Sequence, residues 1–178
     1  MSKKVDRKNW EILQILDKIT KQTSIRSAIE SIVSRVEQKL NQDSEAKLAW
    51  EPIPLFLYGK QLPNGIRSSW VFIIPPQTTT GAERHPNSYQ RMMSYRGSGD
   101  LQIWDGDKWN SNILVSDLDK GIGKRWVSIP TNIWHQAVVG KENWVVVSFH
   151  TVPDDELIEE RPESTDSQLF RQRKYLDC

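Results

Sequence analysis

A chain of 178 residues is long enough for one domain with a substantial core and too short for two of ordinary size. Lys and Arg (24) nearly cancel Asp and Glu (23), and neither sign gathers in a long block, which argues against a nucleic-acid footprint or a polybasic membrane patch. The single cysteine, Cys178, excludes an intramolecular disulfide framework, no run of eighteen apolar residues suggests a membrane span, and MSKKVDRKNWEILQ lacks the apolar core of a signal peptide; a soluble cytoplasmic protein is the expectation.

The first forty residues are helical in pattern. Ile25, Ala28, Ile29, Ile32, Val33, Val36 and Leu40 recur at steps of three and four, the stripe of an amphipathic helix, with Thr23 or Ser24 as its N-cap. Upstream, Trp10, Ile12, Leu13, Leu16 and Ile19 form a broader apolar surface: a separate first helix, or the same helix broken around residues 21–24. After NQDSEAK the texture changes. AWEPIPLFLYG carries two prolines and reads as an extended edge, and QLPNG is a turn. Strand patterns follow at residues 70–74, 90–95, 101–104, 113–115, 125–129, 135–139 and 144–149, separated by GSGD, DGDK, DKGIG, PTN and GKEN. Strands so spaced argue for an all-β sandwich or barrel, whose core the eight tryptophans would help to fill. From Pro153 the chain is highly charged; it either wraps back on the β domain or is partly disordered. The division expected is a helical extension over 1–48, a β domain over 49–152 and a charged tail over 153–178.

Three histidines are available for chemistry: His85, His135 and His150. In a strand, residues two apart face the same way, so Glu83 and His85 form a two-point chelate while Arg84 points away. Alone, such a pair is more often a solvated edge or a hydrogen-bonded pair than a ligand set. After the turn at 86–88, Gln90, Met92 and Ser94 share one face, and only tertiary closure can bring His135 to them. His150 ends an apolar strand, where a structural role bonded to a carbonyl or capping the rim is expected, with a pocket role behind it. Arg84 and Arg91 are out of phase with these residues and read as solvated, and Tyr95 is likewise out of phase. Asp105-Gly106-Asp107 reads as a hairpin turn.

Two segments carry a resemblance to the cupin superfamily. The first cupin motif places two histidines, a glutamate and a glycine at fixed intervals, and Glu83, His85, Gln90 and Gly97 keep every interval with two identities changed. The second motif is similar to GKRWVSIPTNIWHQAVVG, where Gly123, Pro130 and His135 match, Asn132 stands in for a glycine, and one residue is extra. Asparagine tolerates the left-handed backbone such a turn needs. The resemblance implies a mainly β fold, a double-stranded β-helix (cupin or jelly-roll barrel) with N-terminal helices, and a homodimer. It also implies a divalent metal ion (Fe, Mn, Ni or Zn) held by Glu83, His85 and His135, with Gln90 as fourth ligand or substrate contact. The carboxylate has changed places within the ligand set, so its formal charge stays at minus one.

The pocket for a small-molecule ligand would be walled by Gln90, Met92, Ser94 and aromatic residues such as Phe72, Trp70 or Phe149. The activity implied is metal-dependent chemistry on a small organic molecule, of oxygenase or of isomerase or lyase type. The alternative is a non-catalytic cupin that binds a metabolite or a protein partner, with the N-terminal helices as docking surface. A third is a metal-free enzyme with His85 or His135 as general base.

Overall fold

The structure, a computed structural model, describes residues 7–163 and 170–177; Cys178 and part of the charged tail lie outside the described residues. Two helices come first, α1 (Arg7–Thr20) and α2 (Thr23–Gln42), so the break near residue 21 separates two elements. Helix α2 starts one residue earlier than a Thr23 cap would place it and two earlier than a Ser24 cap would: Gln22 holds the N-cap position and makes no side-chain capping bond. Its stripe of Ile25, Ile29, Ile32, Val33 and Val36 is buried, as are Leu13, Leu16 and Ile19 of α1. Each such side chain contributes about 1.5–3 kcal/mol relative to exposure.

That stripe lies against one face of a five-stranded antiparallel sheet ordered β1 (Ala49–Pro52), β2 (Ser68–Ile74), β9 (Trp144–His150), β3 (Gln90–Arg96) and β7 (Trp126–Ile129). Period-two alternation divides its strands cleanly between two cores. Val71, Ile73, Met93, Tyr95, Val145, Val147 and Phe149 meet the helices. Trp70, Phe72, Ile74, Met92, Trp144 and Val146 point the other way, into the space between the sheets. The N-terminal stripe, weighed from sequence as a docking surface, is therefore largely covered within the chain. The segment read as one extended edge keeps only the four residues of β1; after Pro54, residues 55–61 wind into 3-10 turns kinked at Gly59, whose φ is 71°.

The facing sheet is built on β4 (Ser98–Trp104), which pairs with β5 (Trp109–Asn110) and β6 (Ile113–Val115) along one edge and with β8 (His135–Val139) along the other. Isolated bridges continue it: Thr79 with Val138, Glu83 with His135, and Arg84 with Glu160. Through the last of these the charged tail joins the domain, as a hairpin of β10 (Ile158–Pro162) and β11 (Phe170–Lys174). The tail thus wraps back onto the β domain at these residues.

Close approaches fix the register between sheets. Trp144 is fully buried, and a Cβ on Gly99 would overlap its indole ring. At Gly97 φ is 79° and a Cβ would sit 2.6 Å from the Asn143 carbonyl oxygen, so the motif glycine is needed for conformation and for space. Asn132 has φ of 65°, the left-handed backbone expected of it. The Asp105 turn forms as read: its Oδ1 accepts from the backbone N–H groups of Asp107 and Lys108.

Two arginines depart from the solvated reading. Arg91 is 6% exposed, donating to Asn9 of α1, and Arg84 pairs with Glu160 at 2.6 Å while lying over the Trp134 ring. Each points away from the inter-sheet space as its phase required, but helix and tail hairpin cover the outer faces where water was expected. Among the described residues no helix is long and apolar enough to cross a membrane.

Candidate metal centre

Near the end of the inter-sheet space, Glu83, His85 and His135 each present a donor atom within 4.8 Å of the others. The bridge between Glu83 and His135 sets two of them side by side, with backbone bonds of 2.9 and 2.8 Å running both ways, and the two-residue step brings His85 to the same side. Gln90 and His150 face them from the paired strands β3 and β9, where they are direct cross-strand neighbours. The His85 ring lies 5.5 Å from that of His135 and 5.2 Å from that of His150.

Hydrogen bonds settle the imidazole tautomers. His85 Nδ1 lies 2.9 Å from the Ile158 carbonyl oxygen and His135 Nδ1 lies 3.0 Å from that of Ile133. A carbonyl only accepts, so each Nδ1 carries a proton and each ring turns Nε2 inward. His135 Nε2 then faces Glu83 Oε1 at 3.4 Å, and it is buried with no hydrogen-bond partner among the described residues. Two acceptors facing each other at that distance require a cation between them, either a proton or a metal ion. Gln90 Oε1 is a second buried acceptor without a partner.

The electrostatics favour this state of the donors. Burial alone would push the Glu83 carboxyl up, but contact with His135 and the charge of Arg161 outweigh it and hold the group well below the ordinary carboxylate range. Burial, aided by the neighbouring His135, depresses His85 to about 4, leaving it neutral near pH 7 with its lone pair available. Burial likewise pushes His150 well below its ordinary value. The other oxygen of Glu83, Oε2, accepts from Arg161 Nη2 at 2.6 Å. Arg161 also binds Glu159 at 2.6 Å, and Arg173 binds that carboxylate at 2.7 Å. One carboxylate oxygen is thereby anchored and the other left facing the imidazoles.

The enclosed cavity has a volume of about 40 Å³. Since about 10–15 Å³ by this measure accommodates one water, it has room for an ion and a ligand of a few atoms. Of the pocket residues named from sequence, Phe72, Gln90 and Met92 line it. Ser94 shares their face but lies deeper, donating to the Gly97 carbonyl and accepting from Trp144 Nε1. Trp70 packs in the inter-sheet core. Phe149 does not line the cavity: one residue out of phase with His150, it packs under the helices against Tyr58 and Trp126.

Sequence reasoning placed His150 first at the rim, yet it is 1% exposed and lines the cavity, its ring nitrogens 3.2 Å from Ser88 Oγ and 3.3 Å from Ser148 Oγ. The available signal was Ser148 and His150 two apart in an otherwise apolar strand. The tail contributes two further residues. Tyr175 lines the cavity 5.9 Å from the His85 ring, and Arg161 anchors Glu83.

No family model matches the chain, and no curated protein does. Among solved structures, oxalate oxidase in complex with the substrate analogue glycolate is 18% identical, covering 62% of this chain and 54% of its own, with a TM-score of 0.47. The capsular polysaccharide assembling protein CapF from Staphylococcus aureus is 16% identical, over 62% of this chain and 29% of its own, at a TM-score of 0.47. An oxalate decarboxylase is 12% identical, over 61% and 27%, at 0.46. The aligned part is thus about half or less of each of these proteins. The mainly β architecture of facing antiparallel sheets brings Glu83, His85 and His135, from two separate sequence motifs, to one cavity.

Proposed function

We propose that Glu83, His85 and His135 hold one divalent metal ion and that the cavity beside it binds and transforms a small organic molecule. The observation that carries this reading is His135 Nε2, buried without a hydrogen-bond partner among the described residues and 3.4 Å from Glu83 Oε1. One carboxylate with two imidazoles suits Fe, Mn, Ni or Zn and leaves positions open for a ligand. When bound, such an ion supplies Lewis acidity toward a carbonyl or, if it is iron, a site for dioxygen chemistry.

The chain's own residues supply the rest. The carbonyls of Ile133 and Ile158 orient the two rings, Arg161 holds the carboxylate, and Gln90 offers an amide oxygen as a fourth ligand or a substrate contact. Phe72, Met92 and Tyr175 shape the apolar side of the cavity and keep water out. A second reading is favoured by one observation: the Arg161 pair already gives Glu83 a cation, as a metal-free binding cavity would need.

Metal analysis of protein purified without chelators separates the two. The metal reading expects about one ion per chain, lost in Glu83→Ala and in His135→Ala while both variants keep the circular dichroism of the parent. A parent protein that is folded, empty and indifferent to added Fe, Mn, Ni or Zn selects the binding module.

A further inference from the structure

The outer face of the β4–β8 sheet carries a second concavity, separate from the buried centre, with a volume of about 380 Å³. That is within the range of about 300–1,000 Å³ common for small-ligand sites. Trp104, Trp109 and Trp134 line it, with Ala82, Gly106 and Pro162 at its margin. The strand register explains why three tryptophans gather here. Ile103 pairs with His135 and both point inward, so their neighbours Trp104 and Trp134 point outward side by side; Trp104 also pairs with Trp109 across the β4–β5 hairpin. All three remain partly exposed, which is costly for indoles unless something uses them.

We propose that this face is a saccharide-binding platform, on which a pyranose ring of a neutral oligosaccharide stacks. The geometry of the rings selects this class. Trp104 and Trp109 have centroids 5.4 Å apart with their planes inclined at 60°, so the rings abut, leave no gap between them for a guest, and each offers its own flat face. A quaternary ammonium group needs aromatic walls on several sides, and a proline of an extended peptide needs a slot between ridges. Here one face of Trp134 is already covered by the Arg84 guanidinium, 4.5 Å from the ring centroid, which removes a wall.

A sugar asks for something else: a flat apolar surface for its C–H face and hydrogen-bonding groups in the plane beside it. None of the three indole N–H groups donates to another described residue. Two residues further along the same outward faces lie Gln102 on β4 and Gln136 on β8; Gln136 Nε2 donates to Gln102 Oε1 at 2.8 Å, and Gln102 Nε2 donates to Asp100 Oδ2 at 3.0 Å. Amides and a carboxylate arrayed beside an aromatic platform offer the mixed donors and acceptors that hydroxyl groups pair with.

The test uses the full chain on a glycan array of neutral gluco-, manno-, galacto- and N-acetylhexosamine oligomers. The best binder is then titrated in solution by tryptophan fluorescence. Binding is expected for at least one class of oligomer, weakened about tenfold or more by Trp109→Ala and less by Trp109→Phe, with metal content and circular dichroism unchanged. The platform is refuted if no glycan binds above the level of Trp109→Ala, or if a proline-rich peptide or a tetramethylammonium salt binds at this face and the glycans do not.

Discussion

Asp17→Ala is expected to destabilise the protein by about 3–5 kcal/mol, because it leaves a buried guanidinium without its counter-charge. Arg125 is 1% exposed and pairs with Asp17 at 2.5 Å; the same carboxylate accepts from Trp126 Nε1 at 2.9 Å and lies 3.1 Å from Lys21 Nζ. These contacts clamp helix α1 to the start of β7. Urea denaturation of the parent, Asp17→Ala and Asp17→Ala/Arg125→Met measures the effect, and the double variant should recover part of the loss because it removes both charges. A loss below about 1 kcal/mol in Asp17→Ala would show that water reaches Arg125.

The same pair gives a signed pH dependence. Burial pushes the Asp17 carboxyl up, but bonds from Arg125, Trp126 and Lys21 outweigh it and hold the group below its ordinary value of 3.8. A depressed carboxyl binds protons more weakly in the fold than in the unfolded chain. Its contribution is therefore complete above that ordinary value and declines as acid protonates it.

Gln90→Glu has the second large effect, and its sign depends on whether a cation is present. Gln90 is 5% exposed and its Oε1 has no hydrogen-bond partner, so a carboxylate there would be buried facing Glu83. Without metal the variant should lose about 3 kcal/mol, the scale of an uncompensated buried charge. Added Mn²⁺ should raise its melting temperature more than that of the parent, because the second carboxylate strengthens the site and binding stabilises the fold. Thermal melts with EDTA and with Mn²⁺ measure both. A variant as stable as the parent in EDTA and unmoved by Mn²⁺ would mean that this cavity does not select for positive charge.

Much of the architecture was legible because it rests on local periodicity. The stripe of α2 and the short strands from residue 70 onward follow from side-chain phase, and the same phase argument separates Glu83 and His85 from Arg84. The left-handed turn at Asn132 was legible because few residues tolerate that backbone.

What escaped has a physical cause in each case. Strand β9 is buried on both faces, so its apolar run does not show which parity looks into the cavity, and Phe149 was assigned there in place of His150. Arg84 and Arg91 looked solvated because nothing local announces a helix or hairpin laid over a sheet face. Arg161 and Tyr175 reach the centre from a segment whose composition reads as surface, brought there by long-range pairing that includes the bridge between Arg84 and Glu160 and the bond between His85 and Ile158.

The account stands or falls on three side chains sharing one ion. Crystals of the full chain soaked in Zn²⁺ and measured at the zinc absorption edge test that directly. The prediction is a single strong anomalous peak in the inter-sheet cavity, about 2.0–2.2 Å from Nε2 of His85, Nε2 of His135 and an oxygen of Glu83. A cavity without a peak, with zinc only on surface residues, would contradict it.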